Sequence, residues 1–120
     1  MHAWLKTAIP KLASLDIERS VAFFEDLGFR RVAVHPTVAM LSRGPIDLHF
    51  WLTSDPAVPR ANGARVQVSN VEALYDEFLP RGIVHPHDPL GDKPWGMREF
   101  SILDLDGNVL TFAAEIPAAP

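Results

Sequence analysis

The apolar residues Ile17, Val21, Phe24 and Leu27 fall on one face at helical spacing, between Asp16 and Gly28. Asp16 offers an N-cap oxygen, and Gly28 can take the positive φ that ends a helix, so the spacing predicts a helix between them. A second pattern starts at Asn70-Val71-Glu72, continues through Leu74 and Phe78, and stops at Pro80 to Gly82. The two patterns are in register. Asp16 and Asn70 are 54 residues apart, as are Ile17 and Val71, Glu18 and Glu72, Phe24 and Phe78, Gly28 and Gly82, and Phe29 and Ile83. Caps, apolar faces and terminal glycines all recur, which is the mark of an internal duplication.

Strand-like runs flank each helix. Residues 8–13 precede the first helix, and 30–34, 38–42 and 46–52 follow it, with a turn at Arg43-Gly44-Pro45. Residues 64–68 precede the second helix. A short strand near Ile83-Val84, then 98–103 and 109–113, follow it, with the turn Asp106-Gly107-Asn108 between the last two. The order is βαβββ twice, an α+β chain read as one domain over residues 1–120 with halves at about 7–52 and 63–114. The Pro- and Ala-rich stretch from Thr53 to Asn62 reads as a linker, His85 to Trp95 as a long loop, and the tail from Ile116 as frayed.

Composition narrows the classes. At 120 residues and 48% hydrophobic, the chain can bury a core, and no apolar run approaches a membrane span. The start, Met1 to Lys6, has no signal-peptide pattern. The absence of cysteine removes disulfides and thiolate chemistry and suits a cytoplasmic location. A formal charge of −4 without a Lys/Arg cluster argues against nucleic acid and mildly favours cationic ligands.

Signatures for chemistry are sparse. The sequence has no Gly-x-Ser-x-Gly elbow, phosphate loop or dinucleotide glycine pattern. Asp47 is a candidate buried general base without an identified partner. His85 and His87, with Asp88, are either a loop chelate for adventitious metal or simply solvated. Trp95, bracketed by Pro94 and Gly96, is either an aromatic platform in a ligand groove or a plug on the core.

Several segments carry a family resemblance. These are Ile9-Pro10 through Asp16, Ser20-Val21-Ala22-Phe23-Phe24, Leu27-Gly28-Phe29, Pro94-Trp95-Gly96 and the Asp104-to-Asn108 turn. With the paired βαβββ order, the chain resembles the bleomycin-resistance proteins of the glyoxalase/vicinal-oxygen-chelate superfamily. The resemblance implies two cup-shaped mixed sheets with helices on their outer faces. Members bind either a divalent metal or a small molecule in the cups. The four metal-ligand positions of the enzymes correspond here to Ile9, His49, Gly63 and Thr111, of which only His49 is an ordinary ligand. No metal and no other cofactor is therefore expected.

If those positions face the cup, strand alternation places Asp47, His49 and Trp51 there, with Arg65, Gln67 and Thr111. The expected ligand contacts are these six, with Trp95 and Val38. His49 is either a ligand contact or an inward polar residue bonded within the cup, and Trp51 is either a stacking platform or a dimer contact. The resemblance implies a homodimer that sequesters an antibiotic in grooves at the subunit interface. Two departures count against bleomycin itself: Arg65 and Gln67 replace aromatics, and Val38 replaces a drug-contacting Phe. The alternatives are a metal-dependent enzyme of the same superfamily and a module whose cup binds another protein.

Overall fold

Both helices form where their caps and apolar faces require. Helix α1 spans Ile17–Asp26, and the Asp16 carboxylate accepts from the Arg19 amide. Helix α3 spans Val71–Phe78, and the Asn70 side chain accepts from the Ala73 amide in the same way. Gly28 and Gly82 both take positive φ, at 89° and 69°, so the two helices are also released alike. These features come from a computed structural model, which describes residues 2–118.

The strands are β1 (Lys11–Ser14), β2 (Arg30–Val34), β3 (Val38–Arg43), β4 (Ile46–Leu52), β5 (Gly63–Gln67), β6 (Gly91–Asp92), β7 (Met97–Leu103) and β8 (Val109–Glu115). They form two four-stranded mixed sheets, ordered β1-β4-β3-β2 and β5-β8-β7-β6. In each, the strand before the helix pairs parallel with the last strand of its module, and the remaining pairs are antiparallel. This is the paired βαβββ architecture read from the duplication.

One apolar cluster runs through both modules. Leu12, Phe24, Leu48 and Phe50 belong to the first, and Phe78, Phe100, Leu110 and Phe112 to the second. Phe24 meets Phe29 edge-on at 5.6 Å, and Phe78 meets Phe112 edge-on at 5.5 Å. Burying each such ring contributes about 2–3 kcal/mol. Polar bonds join the modules at the same place. Asn108, fully buried, donates to the Ala13 carbonyl at 2.8 Å, and Asp106 accepts from the Leu15 amide at 3.0 Å. Arg43 reaches across to both carboxylate oxygens of Glu77 at 3.0 Å.

Four local expectations change. The first strand begins at Lys11, because Pro10 contributes only a carbonyl, which accepts from the His49 amide, and residues 2–8 before it run exposed. The linker contains a short helix, α2 (Ala57–Arg60), started by the Asp55 side chain accepting from the Ala57 amide. The strand expected at Ile83-Val84 is reduced to a single bridge between Val84 and Ile102. Pro86 and Pro89 have no N–H to continue a ladder, so regular pairing stops there and resumes as β6. The tail does not fray at once: the Ile116 amide donates to the Gly96 carbonyl at 3.0 Å, while Ala119 and Pro120 lie outside the described residues.

Candidate functional site

Strand alternation defines the concave faces. In the first sheet Leu48 and Phe50 are core, so Asp47, His49 and Trp51 point to the other side. Val38 lies directly opposite Trp51, and Met40 opposite His49. Trp51 is 36% exposed and Val38 is exposed beside it, which gives this face an apolar stripe. Among the described residues, the side chains of Asp47, His49 and Trp51 make no hydrogen bond. Asp47 is exposed, which corrects the expectation of a buried base. The reading of His49 as a residue bonded within the cup is likewise not met.

The second concave face is built differently. Phe100 and Ile102 are core, so Glu99 and Ser101 of β7 join Arg65, Gln67 and Thr111 on the concave side. The long loop closes over them. Asp88 accepts from Ser101 Oγ at 2.5 Å and from Lys93 Nζ at 2.8 Å. Burial raises the Asp88 pKa, but the Lys93 and Ser101 bonds outweigh it and hold the carboxyl below its ordinary value. Lys93 is raised in turn by its bond to Asp88. Ser101 Oγ also lies 2.7 Å from Thr111 Oγ1. Ser101 is itself buried, so it braces the face and offers no accessible nucleophile.

Arg65 is not the free cation its sequence position suggests. Its guanidinium meets the Glu99 carboxylate at 2.5 Å; the Glu99 side chain is 5% exposed and that of Arg65 46%. Glu99, Ser101 and Lys93 are not among the contacts expected from the sequence, and Asp88 is grouped there only with His85 and His87. The signal for the first two was present in β7 itself, where Glu99 and Ser101 alternate with Phe100 and Ile102.

Trp95 sits on the turn between β6 and β7, where the Gly96 amide donates to the Lys93 carbonyl and the Lys93 amide to the Met97 carbonyl. Gly96 has φ 84°, a value that suits glycine. The indole is 62% exposed, so it is not a plug on the core. His85 accepts from the His87 amide through Nδ1, and no group of three or more His, Asp or Glu gathers around the pair among the described residues.

The four positions implied for a metal do not fit one. Ile9 lies in the extended segment before β1, and Thr111 Oγ1 is engaged with Ser101. Gly63 cannot be replaced by a ligand without moving backbone, since an added Cβ would stand 2.8 Å from the Val109 carbonyl oxygen. His49 alone cannot hold a divalent ion.

Two recesses of the chain, of about 570 and 530 Å³, lie away from the concave faces. The first, between the modules on the helix side, touches only Gln67 of the expected ligand contacts. A single chain therefore brings Arg65 and Thr111 together with the newly found Glu99, but does not enclose them with Trp51 and His49.

Comparison with known proteins agrees with the fold. Residues 8–112 match the family described as the Glyoxalase/Bleomycin resistance protein/Dioxygenase superfamily. The bleomycin resistance proteins of Geobacillus stearothermophilus and Staphylococcus aureus are each 32% identical over 91% of this chain and 96% of their own length. The bleomycin-binding protein of bleomycin-producing Streptomyces verticillus, solved with copper(II)-bleomycin, superposes with a TM-score of 0.84. It is 29% identical, covering 96% of this chain and 100% of that one. A bleomycin resistance determinant encoded on the transposon Tn5 shares the fold, with a TM-score of 0.82 at 23% identity, covering 94% of this chain and 100% of that one.

Proposed function

Because the chain belongs to the Glyoxalase/Bleomycin resistance protein/Dioxygenase superfamily, we propose that it binds and sequesters bleomycin or a related antibiotic, without a metal, in a groove between two copies of itself. Trp95 carries the reading: a rigidly mounted, 62% exposed indole at the rim of a mixed polar face has the form of a stacking platform. It lies in the Pro94-Trp95-Gly96 segment, one of those that carry the family resemblance. Trp51, Val38, His49 and Asp47 line the facing wall, supplied by the second copy, and Arg65, Gln67 and Thr111 line the wall nearest Trp95.

Two observations favour the dimer. Trp51 and Val38 form an apolar stripe that a monomer would leave in water. Neither of the two recesses described above coincides with the concave faces. Sequestration needs no nucleophile, and the buried Ser101 and exposed Asp47 have no catalytic partner.

Titration with metal-free bleomycin, followed by tryptophan fluorescence and calorimetry, tests the reading. Saturable quenching with one drug per chain is expected, and Trp95→Ala should weaken binding about tenfold or more. No heat and no quenching at millimolar drug would remove bleomycin as the ligand.

A further inference from the structure

Glu99 is a nearly buried carboxylate on the concave face, and its hydrogen bonding is incomplete. Oε2 accepts from Arg65, while Oε1 accepts from no described group. A carboxylate has room for about four hydrogen bonds, so Oε1 can accept from a further donor that reaches this face. The other cation of this face, Lys93, donates to Asp88, as does the neutral Ser101 hydroxyl.

The direction of the Thr111 bond follows. Ser101 has a single hydroxyl proton, and it goes to Asp88, which stays ionised because its pKa is lowered. Thr111 must therefore donate to Ser101, which leaves the Thr111 oxygen as an acceptor. Thr111 pairs with Ser101, and Glu99 with Ala113, in adjacent rows of the same face, about 7 Å apart along the strand. The face therefore offers two acceptors, one of them charged, beside the cations Arg65 and Lys93, each paired with a carboxylate.

We infer that Glu99 and Thr111 form a subsite for a cationic, N–H-rich group of the ligand, such as an amine or amidinium, and that Arg65 occupies it as an internal counter-ion until the ligand displaces it. The inference rests on the ligand-binding reading above. The asymmetry of the pair supports it. Arg65 is half in solvent and can leave when a ligand cation takes its place, whereas Glu99 is fixed in a strand and cannot leave. A ligand cation would take over the Arg65 bond and reach the empty Oε1 as well.

The test compares wild type, Glu99→Gln and Arg65→Ala with two probes. With metal-free bleomycin, Glu99→Gln should bind about tenfold more weakly, and Arg65→Ala about threefold to tenfold more tightly. With spermidine, NMR should show shifts of the Arg65 Nε and the Glu99 carboxyl carbon in wild type, and no Arg65 shift in Glu99→Gln. Drug binding that is unchanged by Glu99→Gln would overturn the subsite while leaving the drug reading intact. Drug binding weakened equally by both substitutions would make Arg65 a contact and overturn its role as counter-ion. If wild type ignores bleomycin, that reading falls and spermidine decides: shifts at both residues uphold the cation subsite, and their absence overturns it.

Discussion

On the concave face of the first module, Val38, Asp47, His49 and Trp51 make no side-chain hydrogen bonds among the described residues. On the second, Glu99, Ser101 and Thr111 are tied to Arg65, Asp88 and one another. The strand orders correspond, so the difference does not come from the sheets. It comes from one connection. The first module runs from Gly28 to β3 at Val38 through β2 and a tight turn. The second takes a longer path from Gly82 to β7 at Met97, and that path carries Asp88, Lys93 and Trp95. One duplicated unit keeps a bare face suited to a partner surface, and the other uses its extra loop to fix polar groups in place. A groove made of one face of each kind combines a broad apolar wall with an orienting polar one.

The contrast can be broken most sharply at Trp51. Trp51→Ala should weaken the dimer by about 2–4 kcal/mol while leaving the fold of each chain intact. Sedimentation equilibrium of wild type and variant checks this, and a wild type that is monomeric at micromolar concentration would end the dimer reading. On the opposite face, Asp88→Ala strips the acceptor from Ser101 and Lys93. It should cost about 2 kcal/mol of stability in urea denaturation, with little effect on association.

Acid should also act in opposite directions on two carboxylates of the second module. The folded pKa of Asp88 is depressed, so its contribution to stability is complete above the unfolded value of about 4 and is lost as pH falls through the folded value. Asp104 has the opposite sign. Burial raises its pKa against the Asn108 bonds, so its contribution is complete below about 4 and is lost as pH rises through the folded value. Denaturation midpoints of wild type and Asp88→Ala should therefore converge as pH falls below about 4. A constant gap would show that Asp88 is not the acid-sensitive group. The smallest effect belongs to His49→Ala, expected within about 0.5 kcal/mol of wild type in stability because its side chain has no bonded partner.

The sequence revealed the architecture because duplication repeats its own punctuation. Asp16 and Asn70 cap alike, Gly28 and Gly82 release alike, and Phe24 and Phe78 anchor alike. The concave residues Asp47, His49, Trp51, Arg65, Gln67 and Thr111 were legible from period-two alternation counted from the metal positions of related enzymes. Glu99 and Ser101 were missed because β7 carries none of those positions, although its alternation is equally regular. Asp88 and Lys93 could not be read that way. They reach the sheet through a loop with no periodicity, steered by Pro86 and Pro89, and which residue such a loop sets above a strand depends on tertiary closure. The neutralisation of Arg65 followed from the same omission, since its partner had not been placed on that face.

Gly63 bears on what this scaffold could become. The Val109 carbonyl oxygen occupies the space where any side chain at position 63 would begin. Restoring ligands at Ile9 and Thr111 by substitution would still leave that quarter of a four-ligand set vacant until the ladder joining β5 to β8 was pried apart. An engineer seeking metal catalysis here would face a backbone problem before a side-chain one. A single substitution at position 63 meets the same obstacle, because the sheet itself leaves no room for a side chain there.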